Sequence, residues 1–250
     1  MEHMRVPLPN GRAFIYLALV AGLGVSLLPL GSATPLPETT HFFTETGFAV
    51  TGRFLAMWQG PYTYEESVAI NGYPISDAHY EVSPDDGQIY LVQWFQRARY
   101  ELHPEQAPPN DVQLGRLGVV AARGRQDQPA FQPVPEPADL GPTRAWYPET
   151  QHTLNAAFLA FWTQYGSWKQ FGFPISEPLQ ERNQIDGQTY QVQYFERARF
   201  ELHPGAAPAF GDVLLGQLGV EQYLDAPGGP PTPAPSPTTP PGATPLPAQP

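Results

Sequence analysis

Two short runs of polar side chains carry the residue types best suited to binding chemistry: Gln93, Arg97, Arg99, Glu101 and His103, and their twins Gln193, Arg197, Arg199, Glu201 and His203. A guanidinium fork offers paired donors to a glycan or a peptide carboxylate, a carboxylate accepts from hydroxyls, and Phe95 or Phe195 adds an apolar contact. The same residues have a competing use inside a sheet, where Arg and Glu pair across strands and His103 or His203 closes the strand end. Tyr62, Tyr64, Trp146, Tyr147 and Trp168 form a second candidate set in turn regions. An exposed ring there stacks on a sugar, and a buried one seals a small core. For acid–base chemistry, Glu45/Glu149 and Glu101/Glu201 recur and His152 follows Glu149. A glycosidase sets two carboxylates about 5–10 Å apart across a cleft, and His152 aligns with Phe48 and so lies outside the shared pattern. The sequence has no HExxH, nucleophile elbow or Gly-rich phosphate loop, no cysteine, and six scattered histidines. No catalytic residue, cofactor or metal site is expected.

The elements that must position these residues occur twice. Nineteen of the 33 positions from Gly72 to Pro104 are identical 100 residues later. Upstream, Glu45-Thr46, Phe54-Leu55 and Trp58 match Glu149-Thr150, Phe158-Leu159 and Trp162. Downstream, Val112, Leu114, Gly115, Leu117 and Gly118 match Val213, Leu215, Gly216, Leu218 and Gly219. Matching this dense marks a duplication. Leu154, Phe158, Phe161, Trp162 and Tyr165 have helical spacing, with Thr150 or Thr153 as the cap and Gly166 at the end; Val50, Phe54, Met57 and Trp58 draw the same stripe up to Gly60-Pro61. Asp86-Gly87 and Asp186-Gly187 fit a two-residue hairpin turn. Beyond it, Tyr190, Val192, Tyr194, Ala198, Phe200 and Leu202 share one strand parity, predicting a buried face. Gln193, Phe195, Arg197, Arg199, Glu201 and His203 take the other, predicting a mostly polar face.

The expected fold is α+β: two tandem copies of a small module built from a helix, a turn through Gly-Tyr/Phe-Pro-Ile-Ser, a β-hairpin or short antiparallel sheet, and a last short strand or turn. The predicted divisions are a signal peptide over 1–33, a short linker over 34–41, module 1 over 42–120 and a Pro-rich linker over 121–145. Module 2 follows over 146–223, and then a Pro/Thr-rich disordered tail over 224–250. The leader reading rests on Arg5 and Arg12, an apolar run from Ala13 to Leu30, and Gly31-Ser32-Ala33 as a cleavage site; an uncleaved anchor is the alternative. The 32 prolines cluster in the linker and tail and predict extended, semi-stiff spacers. Thin cores imply that each module stacks on its neighbour or relies on tight aromatic packing. The formal net charge of −11 argues against a nucleic-acid partner, and membrane association is expected only through an uncleaved leader.

Phe171-Gly172-Phe173-Pro174-Ile175-Ser176, Asp186-Gly187, Tyr194-Phe195, Ala198-Arg199-Phe200, His203-Pro204 and Gly216-Gln217-Leu218 resemble the LGFP repeat of secreted bacterial proteins. The first copy gives Asn71-Gly72-Tyr73-Pro74-Ile75-Ser76 and Gly115-Arg116-Leu117. Neither copy has the repeat's leading Leu, and Ala98 and Ala198 stand where it favours Gly. The resemblance implies a cell-envelope module of the kind that fixes hydrolases to the wall. The expectation is a secreted or surface-located, non-catalytic binding module that engages cell-wall glycan or peptide or a surface polymer. A structural or protein–protein scaffold contacting another envelope protein is the alternative, with a wall or glycan hydrolase behind it.

Overall fold

The computed structural model describes residues 39–183 and 186–224. The expected signal peptide and the tail beyond Leu224 lie outside the described residues. Two short hairpins open the two halves, Thr40–Phe43 (β1) with Phe48–Thr51 (β2), and Arg144–Tyr147 (β7) with His152–Asn155 (β8). Each leads into a helix pair: Gly52–Gln59 (α1) and Tyr64–Asn71 (α2), then Ala156–Gln164 (α4) and Ser167–Phe171 (α5). Each pair is followed by a four-stranded antiparallel meander. The first sheet runs His79–Val82 (β3), Ile89–Trp94 (β4), Arg99–Leu102 (β5) and Val112–Leu114 (β6) in spatial order. The second has the same order through Leu179–Arg182 (β9), Thr189–Tyr194 (β10), Arg199–Leu202 (β11) and Val213–Leu215 (β12). Short helices Leu117–Ala121 (α3) and Leu218–Tyr223 (α6) follow the last strands. The fold is therefore α+β.

One face of each sheet packs on its own helices. Phe54, Leu55 and Trp58 of α1 meet Phe95, Tyr100, Val112 and Leu114, and Phe158, Phe161 and Trp162 of α4 meet Phe195, Phe200, Val213 and Leu215. The indole N–H groups of Trp58 and Trp162 donate to the carbonyls of Gly72 and Gly172, both at 2.9 Å, which fixes helix to turn. The Pro-Ile-Ser segment then runs beside β4 or β10. Proline lacks an amide there, and the Ser76 and Ser176 hydroxyls accept from the amides of Trp94 and Tyr194 at 3.1 and 3.0 Å.

The opposite sheet faces are covered by exchange. Leu218 and Tyr223 of α6 pack on Val92 and Trp94 of the first sheet. Ala122 and Phe131, from the chain after α3, pack on Val192 and Tyr194 of the second. The helix backbones approach the partner sheet's β-turn closely. The amides of Gly219 and Val220 donate to Gln96 O at 3.1 and 3.2 Å, and Val119 donates to Glu196 O at 3.1 Å. A Cβ on Gly118 would lie 1.8 Å from Phe195 O, and one on Gly219 would lie 1.9 Å from Phe95 O. Only glycine fits at either place. Arg97 Nε reaches Leu215 O at 3.0 Å, and Arg197 Nε reaches Leu114 O at 3.3 Å, so both halves tether each other at one junction.

Four sequence expectations need correction. The stripe residues Val50 and Leu154 are strand residues of β2 and β8, and Thr153 lies in β8 rather than capping a helix. The Asp-Gly turn closes a four-residue loop, Pro84–Gly87, between Ser83 and Gln88, whose amide-to-carbonyl bond is 2.7 Å; Gly87 supplies the positive φ of +75°. The residues on either side of Phe95–Ala98 do not belong to one strand. Phe95 N donates to Ala98 O at 2.8 Å, the chain reverses, and Val92 faces Glu101, Gln93 faces Tyr100 and Trp94 faces Arg99. The same register in β10–β11 mixes the two predicted faces, so each face of the sheet carries both apolar and polar residues. Finally, 121–145 is more than a spacer. Phe131 is buried on Tyr194, Ala130 O accepts from Glu177 N at 2.6 Å, and Val134 O accepts from the Trp146 indole at 3.1 Å.

Two stability results follow from this packing. Gly118→Ala and Gly219→Ala are each expected to lower unfolding free energy in urea by at least about 2 kcal/mol, because the clashing atom is backbone and cannot turn aside. Gly115→Ala, whose Cβ would meet its nearest neighbours at an ordinary 3.5 Å, should cost less than about 1 kcal/mol. Tyr100 Oη is buried with no hydrogen-bond partner among the described residues, and its counterpart in the second half is Phe200. Tyr100→Phe is expected to be neutral or to stabilise by up to about 1 kcal/mol in the same assay.

Candidate functional site

The register decides where the ten predicted ligand-binding residues go. Gln93 and Gln193 point to the helix-covered faces, fully buried. Gln93 Nε2 donates to Ala49 O and Ser76 O at 2.8 and 3.0 Å, and Gln193 Nε2 donates to Thr153 O and Ser176 O at 2.7 and 2.8 Å. They stitch the opening hairpin and the Pro-Ile-Ser turn to the sheet. Arg97 and Arg197 are spent on carbonyls across the junction, and burial lowers the pKa of both guanidiniums. His103 Nε2 meets Glu101 at 3.2 Å and Nδ1 meets Glu105 at 3.0 Å, with the ring against Tyr90 at 3.9 Å. His203 meets Glu201 at 3.0 Å and stacks on Tyr190 at 3.6 Å. These are internal roles, so the open ligand face expected from strand parity is not present as such.

Arg99 and Arg199 are different, because both line one cleft. It has a volume of about 670 Å³ and lies where the two sheets meet α3 and α6. Trp94 and Arg99 contribute from the first half, Tyr194 and Arg199 from the second. Arg99 is only 3% exposed and is held by two carboxylates: Nε and Nη2 donate to Glu81 at 3.1 and 3.0 Å, and Nη1 donates to Glu101. Glu81 also accepts from the Trp94 indole at 2.8 Å. Arg199 donates through Nε and Nη2 to Glu201 at 2.9 and 2.8 Å, and through Nη1 and Nη2 to Glu221 of α6 at 3.1 and 2.9 Å. Glu181, the counterpart of Glu81, takes Arg125 at 3.1 Å and the Tyr194 hydroxyl at 2.8 Å instead. Arg125 lies over the rings of Phe131 and Tyr194 at 4.5 and 5.0 Å.

The walls of this cleft carry six arginines against three glutamates, in a chain whose net charge is −11. The inner pair, Arg99 and Arg199, already has its carboxylates. At the mouth, Arg116 is 44% exposed beside Glu196, and Arg123 is exposed. Burial works to raise the Glu81 carboxyl, but the Trp94 hydrogen bond and the Arg99 charge outweigh it and hold the group below the usual carboxylate range. Glu201 behaves alike: His203, Arg199 and Asn183 overcome its desolvation. Arg199 is raised: burial lowers it, but Glu221 more than compensates. The arrangement can accept hydrogen-bonding or anionic groups at its mouth without rearranging its interior.

The aromatic candidates divide. Tyr62 donates to Tyr165 O at 2.8 Å, Tyr147 packs on Trp162 at 5.2 Å and Trp146 is half-buried, so these three close cores. Tyr64 and Trp168 are exposed and are not part of the cleft lining. Glu45 and Glu149 are exposed, and His152 pairs with Glu177 at 3.3 Å, not with Glu149. Among the described residues there is no group of three or more His, Asp or Glu that could hold a metal ion, and no helix is long and apolar enough to cross a membrane. The residues that sequence reasoning passed over are Glu81, Glu181, Trp94, Tyr194, Arg125 and Glu221. The recurrence of Glu81 as Glu181 was a signal; Arg125, in the Pro-rich segment, gave none. Comparison with family models, curated proteins and solved structures found no match.

Acid should weaken the network. Glu81, Glu177 and Glu201 have lowered folded-state pKa values, so their stabilisation is complete above the unfolded value near 4.3 and is lost as pH falls through the lower folded values. The melting temperature is expected to change little between pH 7 and 5 on their account and to fall steeply below about pH 4. A Glu81→Gln/Glu201→Gln variant should melt lower at pH 7 and show a shallower acid slope; an unchanged slope would contradict this assignment.

Proposed function

We propose that this is an exported, non-catalytic binding module made of two LGFP-like copies, and that it engages cell-wall glycan or peptide, or a related surface polymer, through the cleft at their junction. The observation that carries this reading is the lining itself. Equivalent arginines from both halves meet at one open cavity with an aromatic ring beside each. Neither half forms this surface alone, which gives the duplication a purpose beyond enlarging the core. Guanidinium-rich walls suit the carboxylates of peptide stems and acidic sugars, and a volume of about 670 Å³ admits a few sugar or amino-acid units. The inner ion pairs keep the walls in place, and the exposed mouth arginines make the contact.

A pull-down of the full chain on purified cell wall and on insoluble polysaccharide tests this. Retention at moderate salt is expected, and Arg116→Gln/Arg123→Gln should reduce the retained fraction at least tenfold, with only a small change in melting temperature from loss of the exposed Arg116–Glu196 pair. Arg99→Ala/Arg199→Ala should instead lower the melting temperature, since it strands buried carboxylates. No retention of the parent chain on any wall preparation would contradict the proposal.

A further inference from the structure

The edge strand of the first sheet, β3, differs from its counterpart β9 in the second. Tyr80, Val82 and Ile89 are 74%, 62% and 67% exposed, and all three belong to the β3–β4 hairpin. Cross-strand pairing sets Tyr80 against Leu91 and Val82 against Ile89, which makes one apolar strip across the edge strand β3 and its neighbour β4. In the second sheet the same pairs are Gln180 with Gln191 and Arg182 with Thr189, so the strip is polar throughout. The two edges also differ in cover. Beside β9, Glu177 N donates to Ala130 O and Arg125 bonds to Glu181. Asp77, the counterpart of Glu177, is exposed, and its amide has no such partner among the described residues. Sheet edges are ordinarily blunted by charge or by a covering segment. One edge of this chain has both devices, and the other has an apolar strip.

We infer that β3 is a self-association edge, at which a second copy of this chain adds its own β3 in antiparallel register to join the two first sheets. The strand is self-complementary about Tyr80. With Tyr80 opposite Tyr80 of the second copy, His79 of each copy faces Glu81 of the other, and Ala78 faces Val82. The acid and the imidazole already meet at 2.6 Å within one strand, so the paired register repeats a contact that each copy can make. One edge strand and its strip make a small interface, so the dimer is a weak and reversible one. The net charge of −11 opposes it, and added salt strengthens it. Val82 also lines the cleft, so the variants that test this inference are placed at Tyr80 and Ile89, which lie outside that lining.

Sedimentation velocity of the full chain from 5 to 500 μM should show a monomer–dimer equilibrium that tightens between 50 and 500 mM salt. Tyr80→Gln/Ile89→Thr, which installs the residues of the second sheet at equivalent positions, should weaken association at least tenfold without changing the monomer's melting temperature. Because the chain has no cysteine, Tyr80→Cys should give a covalent dimer under mild oxidation, and Gln180→Cys should not. A monomer at 500 μM, a dimer indifferent to Tyr80→Gln/Ile89→Thr, or equal cross-linking through both cysteines would overturn the inference. The wall pull-down is unaffected by any of these outcomes.

Discussion

Everything in this molecule turns on two helix backbones lying against the β-turns of the opposite sheet. The contact is too close for any side chain at Gly118 or Gly219, and it is sealed by amide-to-carbonyl bonds at Gln96 and Glu196. Its consequence is topological. The segment that ends one half covers the bare face of the other, so apolar residues such as Val92 and Val192 are out of water only when both halves are present. Residues 39–224 accordingly belong to one compact unit. The cleft is a by-product of this exchange: α3 and α6 hold the two sheet faces apart where they meet, and the arginines stand in that gap.

The two halves reach equivalent solutions with different side chains. On the first sheet Tyr223 packs against Trp94 with Leu218 beside it; on the second, Ala122 and Phe131 cover Tyr194. Trp94 can donate to Glu81 through its indole and leaves the second carboxylate oxygen for Arg99. Tyr194 donates to Glu181 through its hydroxyl, Arg125 takes the other oxygen, and Arg199 turns to Glu221. A buried guanidinium must find carboxylates somewhere, and each half supplies them from whatever lies nearest. In each half the inner guanidinium keeps two carboxylates, Glu81 and Glu101 for Arg99 and Glu201 and Glu221 for Arg199.

Local physics made part of this legible in the sequence. The α1 and α4 stripes end where Gly60 and Gly166 stand, and the β-rich runs on either side of Asp-Gly do form a hairpin. Helix α2 was available too: Thr63 and Glu66 form a reciprocal capping box whose pattern is visible in the chain. The polar strand face was misplaced because alternation alone cannot show that Phe95-Gln96-Arg97-Ala98 is a reversal; a two-residue turn with no Gly or Pro has no strong signature. The cleft was beyond reach for a different reason. It is made by contacts between residues about 100 apart, such as Arg97 with Leu215, and period-based reading is blind to which element covers which.

The claim that the halves are one cooperative structure is tested most directly by differential scanning calorimetry of the full chain. A single transition is expected, with an enthalpy near 130 kcal/mol for the 184 described residues and a calorimetric-to-van't Hoff ratio close to one. Two transitions of roughly half that enthalpy, each unaffected by substitutions in the other half, would contradict it.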